Sequence, residues 1–322
     1  MKKILITGGA GFIGTNIIKK LIKKKIDIYV VDNKNLNKKN NLYIFKKKKN
    51  FTYIKSDLSK KNFYKNFNYK VDIILHLASG VGVSSYIEDP FKLILSIFYP
   101  TINLLNLSRK FNSHFIFAST SEIYGKNLKL PWHEKSDRVL GPTNISRWSY
   151  SSVKSTCEHL IYGFKKKFPK FKFTIIRFFN IYGPYQRSNF VISSFFEKII
   201  NNKKVNIYDN GKMTRCFTFV EDACDCIIKI FNNKKTYGEA FNVGSSKENS
   251  ILEVKQILEK IHKKKIKYNF IDTKKLYKNK YEDILRRIPK VDKVKSTIGW
   301  KVHTSLEEGL KKTYEFYKNM QY

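Results

Sequence analysis

The 322-residue chain is poor in cysteine, poor in acidic residues and short of long apolar runs, and each shortage removes a class of function. Its four cysteines, Cys157, Cys216, Cys224 and Cys226, give neither a disulfide framework nor a paired Cys-x-x-Cys zinc spacing. Cys224-Asp225-Cys226 is too tight and too isolated for a metal site, so no metal is expected and a reduced, cytoplasmic setting fits. No apolar run approaches ~18–20 residues, which argues against a membrane span. Met1-Lys2-Lys3 runs straight into a short apolar stretch, without the longer apolar core and cleavage site of a signal peptide. Only 26 Asp+Glu stand against 63 Lys+Arg, a formal net charge of +37 that invites a polyanion partner. The lysines, however, fall in short scattered runs at 23–25, 46–49, 165–167 and 263–265. Lys, Asn, Ile, Phe and Tyr all have A/T-rich codons, so genome bias accounts for the charge. Neither a specific nucleic-acid ligand nor membrane insertion is expected, although a positive field helps gather a phosphate-bearing substrate.

What is present is a rhythm of strands and helices. With 42% hydrophobic and 15% aromatic residues, the chain has ample material for a core. Residues 3–7 read as a buried strand, followed by Gly8-Gly9-Ala10-Gly11-Phe12-Ile13-Gly14 and a helical pattern through Ile17, Ile18 and Leu21. Gly8 lets the chain turn, Gly11 lets backbone approach a pyrophosphate, and Gly14 lets helix pack on strand. The pattern lies between a strand and a helix, as that mechanism requires. A second strand, 28–31, ends in Asp32-Asn33. An acidic residue there accepts hydrogen bonds from the adenosine ribose and repels a 2′-phosphate, so NAD is expected over NADP. The lysine-rich segment 33–50 reads as a surface excursion. A third strand, 51–54, leads to Asp57-Leu58, placed either beside the adenine or, for Asp57, as a helix cap. A fourth, 71–78, contains His76, read as structural, and Leu77-Ala78 before Ser79-Gly80. Residues 93–110 look helical, with Pro100 expected to kink or interrupt them. A fifth strand, 115–118, delivers Ser119-Thr120-Ser121-Glu122 at the end that faces ligand in a parallel sheet. The fold class expected is α/β: a Rossmann-type doubly wound parallel sheet with a smaller C-terminal substrate domain. No internal repeat is seen.

The stretch that carries the chemistry is Ser149-Tyr150-Ser151-Ser152-Val153-Lys154. Tyr150 and Lys154 share a helix face, one turn apart. An ammonium beside a phenol favours the phenolate, which then takes a proton from a sugar hydroxyl. Farther on, a strand at 173–177 ends in Phe178-Phe179-Asn180-Ile181-Tyr182-Gly183-Pro184, a turn away from the sheet. Arg215 is a candidate diphosphate clamp, and 241–244 looks like one more strand.

Taken together, residues 7–14, 119–125, Tyr150-x-x-x-Lys154 and 177–184 stand in the order and spacing of the extended short-chain dehydrogenases/reductases. The chain resembles these NAD-dependent nucleotide-sugar epimerases, dehydratases and decarboxylases over nearly its whole length. The resemblance implies that Tyr150 is the base, that Lys154 tunes it and holds the nicotinamide ribose, and that Thr120 or Ser119 orients the sugar hydroxyl. It makes Asn180 and Arg215 sugar-nucleotide contacts. It implies a first step of oxidation at sugar C4 to a 4-keto intermediate, and a homodimer formed through two helices per subunit. It also divides the chain into an NAD-binding domain, 1–180 with a return at 211–247, and a nucleotide-sugar-binding domain, 181–210 and 248–322.

The Thr120-Ser121-Glu122 triplet leans towards UDP-glucuronate decarboxylases. Hexose 4,6-dehydratases acting on dTDP-glucose have an acid where Ser121 stands, and typical UDP-galactose 4-epimerases have a small or apolar residue for Glu122. Residues 141–151 and 281–289 resemble a bacterial decarboxylase of the lipid A aminoarabinose pathway, with Arg287 aligning to its active-site arginine. Arg287 reads equally as a diphosphate contact. Glu122 and Arg287 would position the carboxylate end and manage protons. The expected activity is therefore UDP-glucuronate decarboxylation. The alternatives are a UDP- or dTDP-hexose 4-epimerase or 4,6-dehydratase, and a non-catalytic NAD- or nucleic-acid-binding member of the fold.

Overall fold

The structure is a computed structural model that describes residues 1–277 and 282–320. The first half alternates strand and helix: β1 (Lys2–Thr7), α1 (Phe12–Leu21), β2 (Ile26–Asp32), β3 (Phe51–Lys55), α2 (Phe63–Asn66), β4 (Ile73–His76), α3 (Val83–Glu88), α4 (Pro90–Phe111) and β5 (His114–Thr120). There follow α5 (Arg147–Lys167), β6 (Lys172–Phe178), β7 (Ile181–Tyr182), α6 (Val191–Ile200), β8 (Val205–Tyr208), β9 (Thr214–Arg215), β10 (Thr218–Phe219) and α7 (Val220–Phe231). The chain closes with β11 (Glu239–Val243), β12 (Asn249–Ser250), α8 (Ile251–His262), β13 (Tyr268–Ile271), α9 (Thr273–Tyr277), α10 (Asp292–Ile298) and α11 (Leu306–Asn319).

Seven strands form one parallel sheet in the order β11-β6-β5-β4-β1-β2-β3. Both faces are covered, so the strands are apolar almost throughout. Along β1 the side chains alternate between two cores. Ile4 and Ile6 join α1, α6 and α7, whereas Leu5 joins α4 and α5. A third, smaller core of Ile123, Tyr124, Trp132, Trp148, Phe179 and Ile284 seats the loops above the sheet. The later half adds three two-stranded sheets, β7–β10, β9–β12 and β8–β13.

Three sequence expectations change. Pro100 does not interrupt α4, which runs unbroken for 22 residues with Asp89 capping its start. An interior proline costs about 3 kcal/mol. Leu93, Ile97, Leu104, Leu105 and Leu107 are buried on the same helix, each contributing roughly 1.5–3 kcal/mol, so packing wins. The same helix is long and apolar enough by length and composition to cross a membrane, the one such helix among the described residues; half of its most apolar window is buried against the fold. Counting uninterrupted apolar runs missed it, because Ser96, Pro100, Thr101 and Asn103 break the run without lowering the mean enough. Lastly, segment 33–50 is no free excursion: Leu42 and Phe45 pack into the core, and Asn40 ties it by accepting from Leu42 N–H and donating to the Asn35 carbonyl.

Candidate active site

The sheet order reverses between β1 and β4, and a cleft opens at the C-terminal ends of the strands there. Its volume is ≈ 1350 Å³, larger than the ~300–1,000 Å³ usual for one small ligand. Gly8, at φ +67, turns the chain at the end of β1; a Cβ there would lie 2.7 Å from the Ala78 Cα, across the switch point. A Cβ on Gly14 would lie 2.6 Å from the Gly8 carbonyl oxygen, so α1 packs this closely only with glycine there. Gly11 is the N-cap of α1 and offers no side-chain cap, and Phe12, Ile13 and Gly14 line the cleft at this helix start. Asp32 is held in place by accepting from Ala10 N–H at 3.0 Å and Lys34 N–H at 3.1 Å, beside Asn33. Asp57 lines the cleft next to Leu58 and also caps its own turn, accepting from the Ser59 N–H and hydroxyl. Leu77 and Ala78 are pinned to Thr7 by its carbonyl and hydroxyl. A helix N-terminus for a pyrophosphate and a fixed carboxylate for a ribose fit a dinucleotide. His76 is enclosed between the hydroxyls of Thr7 and Thr101, and burial lowers its pKa to about 3, so it stays a neutral strut.

The next stretch of the cleft belongs to α5, which presents Tyr150 and Lys154. The expected pairing is altered. The Lys154 ammonium lies 6.0 Å from the Tyr150 ring centroid and donates to the Ala118 carbonyl at 2.8 Å. Burial lowers its pKa to about 8, against the opposing pull of Cys157 and Glu158. Tyr150 is pushed up, not down, chiefly by burial and then by the charge of Glu122. Hydrogen bonds with Thr120 and Ser79, and the Arg147 charge, pull the other way. In this state the cation that favours the phenolate is Arg147, which the sequence reading did not single out. Ser79 was given no role there.

Ser119 and Thr120 part company because both lie in β5, where successive side chains face opposite sides. Thr120 faces Tyr150, whereas Ser119 is buried and donates to Glu158, so it is withdrawn from the sugar position. Ser121 and Glu122 follow in a single 3₁₀ turn capped by Thr120. Glu122 is gripped by two guanidiniums, Arg147 on one oxygen and Arg287 on the other. Burial would raise its pKa, but the two arginines hold it at about 2. With both arginines in place it is a carboxylate near neutrality and not a proton donor.

Arg287 arrives from segment 282–289, which has irregular backbone. Tyr281, quoted in the sequence comparison, lies outside the described residues. The segment is tied at both ends: Glu282 accepts from Trp148 Nε1 at 3.1 Å and Lys126 Nζ at 3.0 Å, and Ile288 O accepts from Trp132 N–H at 2.8 Å. Arg215 is buried at the far end of the cleft, donating to Asp283 at 3.0 Å and to the Leu285 carbonyl at 3.0 Å. Three buried polar atoms of cleft-lining residues have neither a hydrogen bond nor an ion pair: Asn180 Oδ1, Gln186 Oε1 and Arg287 Nε. Two acceptors and a donor left unmade in a cleft are costly unless a ligand or water meets them.

Comparison with known proteins agrees with this geometry. Residues 5–313 match the family model described as GDP-mannose 4,6 dehydratase. The UDP-N-acetyl-alpha-D-glucosaminuronate decarboxylase of Bacillus cytotoxicus is 35% identical over 99% of both chains. The UDP-glucuronic acid decarboxylase 1 of Xenopus tropicalis is 29% identical, covering 98% of this chain and 72% of its own. The fold is similar to the crystal structure of UDP-glucuronic acid 4-epimerase from Bacillus cereus with UDP-glucuronic acid and NAD, at TM-score 0.87 and 26% identity over 99% of both chains. The chain therefore belongs to the extended short-chain dehydrogenase/reductase family, whose members are NAD-dependent nucleotide-sugar enzymes.

Proposed function

We propose that this protein is an NAD-dependent decarboxylase of a UDP-linked uronate, glucuronate or its 2-acetamido relative. The observation that supports it most is the Arg147–Glu122–Arg287 cluster beneath Tyr150, with the Arg287 Nε unmet in the cleft. NAD, held at the turn around Gly8, Gly11 and Gly14 and at Asp32, would supply reversible hydride acceptance at sugar C4. Tyr150 takes the C4 hydroxyl proton as the hydride departs, with the Arg147 charge favouring the phenolate so formed and Thr120 orienting that hydroxyl. The resulting C4 ketone makes the C6 carboxylate part of a β-keto acid. When the C5–C6 bond breaks, its electrons pass to the ketone oxygen and carbon dioxide leaves. Tyr150, now protonated, donates a hydrogen bond to that oxygen, and C5 then takes a proton. Arg287, paired with Glu122 before the sugar enters, holds the carboxylate end, and Lys154 holds the nicotinamide ribose. Asn180 and Arg215 hold the nucleotide diphosphate end.

The second reading is 4-epimerisation of a UDP-sugar, favoured by the likeness to the Bacillus cereus epimerase. Mass spectrometry of UDP-glucuronate incubated with protein and NAD separates the two: loss of carbon dioxide supports decarboxylation, and unchanged mass with inverted C4 refutes it. We further propose that residues 1–180 with 211–247 bind NAD while 181–210 and 248–322 bind the nucleotide sugar. In the same reading the enzyme works in the cytoplasm as a homodimer through α4 and α5, which expose Phe91, Ile94, Tyr99 and Tyr162.

A further inference from the structure

The two guanidiniums on Glu122 are held very differently. Arg147 is the first residue of α5, three before Tyr150, and the residue is 0% exposed. Its guanidinium lies over the rings of Tyr86, at 5.4 Å, and Trp148, at 5.5 Å. Its Nε donates to the Glu282 carbonyl at 3.1 Å while Nη1 meets Glu122. It cannot move without unseating the helix start. Arg287 stands on irregular backbone, touches Asp283 only at 3.8 Å and keeps an unpartnered Nε.

We infer that Arg147 is a positioning and specificity-determining residue: it keeps Glu122 satisfied from the rigid side, so that Arg287 is available to the carboxylate of the incoming sugar. A carboxylate shared by two cations gives up the one with fewer other partners when a second carboxylate arrives, and here that is Arg287. Without Arg147, Glu122 holds Arg287 as its sole ion-pair partner, and an anionic sugar must compete with a partly buried carboxylate for it. A neutral sugar makes no such demand. The inference rests on the uronate reading above and names the residue that makes the site choose a charged sugar.

The test measures binding by calorimetry to NAD-loaded protein in a Tyr150→Phe background, which stops turnover. UDP-glucuronate and UDP-glucose are the two probes. Arg147→Gln is expected to weaken UDP-glucuronate about tenfold or more, the scale of one charged hydrogen bond, and to leave UDP-glucose within about twofold. Adding Glu122→Gln to that variant frees Arg287 and is expected to restore UDP-glucuronate binding. Equal weakening of both nucleotides, with no rescue, would mean a purely structural role and overturn the inference. Should Arg147→Gln not fold, the Glu122→Gln/Arg147→Gln pair is compared with Glu122→Gln alone. Equal UDP-glucuronate affinities support the inference, and a loss common to both nucleotides refutes it. A parent protein that binds the two nucleotides equally overturns the uronate reading itself, a result distinct from the failure of Arg147.

Discussion

Two carboxylates near Tyr150, Glu158 buried and Glu122 partly buried, are built in opposite ways. Glu158 lies two turns beyond Tyr150 on α5. It accepts from Ser119 and from Arg177 through Nε at 3.1 Å and Nη2 at 2.6 Å. Arg177 spends its remaining donors on the Tyr124 hydroxyl and the Glu134 carbonyl, each at 2.8 Å. Those partners come from the sheet and the loops packed on it, so the unit is closed. Glu122 lies at the cleft wall, and its partners come from a helix start and an irregular segment. Both pairs look alike as contacts. The first welds α5 to the sheet, whereas the second leaves one cation facing the ligand.

The reference for that contrast is Tyr150→Phe, expected to cut turnover by about 10³-fold, within the range of a lost general base. NAD binding should survive, and a variant that still turns over at the parent rate would detach the chemistry from both carboxylates. Next is Glu158→Ala, which strands a buried guanidinium at a cost of about 3–5 kcal/mol. Chemical denaturation should show that loss, and folded molecules should keep most of their turnover. Glu122→Gln should do the reverse, lowering kcat/KM about 100-fold for the uronate with a smaller stability loss, because the amide keeps an acceptor oxygen and Arg147 keeps the Glu282 carbonyl. Exchanged outcomes for these two variants would dismantle the comparison. Smallest of all, Arg286→Ala breaks an exposed pair with Glu248 and should leave the unfolding midpoint unchanged.

Acid should act on the closed parts before it acts on Glu122. His76 and His114 titrate near 6.5 when unfolded, and burial brings each to about 3 in the fold. The unfolded chain therefore binds more protons between about 6.5 and 3, so stability is complete above that window and falls as the pH drops through it. Glu122, at about 2, adds a loss only below its unfolded value of 4.5. Denaturation midpoints measured from pH 7 to pH 4 should fall steadily. His76→Asn, which keeps polar contacts and cannot titrate, should flatten the slope.

Much of the dinucleotide half was legible because its signals are contiguous. A strand, three glycines at fixed spacing and an acid after the next strand each act within a few residues of chain. Tyr150 and Lys154 share that property. The sugar half is assembled from parts far apart in sequence. Arg147 becomes meaningful only when segment 282–289 lands on it, 135 residues later, which no local pattern reports. Ser119 was a different kind of miss. Extending β5 by two residues places Ser119 and Thr120 on opposite faces, so strand alternation alone would have turned Ser119 inward. Pro100 shows a local rule overruled by packing, and the Tyr150 pKa shows a pair rule overruled by burial and by a neighbour the sequence did not bring near.

The most direct measurement is turnover of UDP-glucuronate by the NAD-loaded enzyme in deuterium oxide, read by NMR and mass. Decarboxylation leaves an enolate whose C5 must take a proton from Tyr150 or solvent. The account predicts a UDP-pentose lacking the carboxyl group and carrying one deuteron at C5. A product that keeps its carboxylate and has gained no deuterium would contradict it.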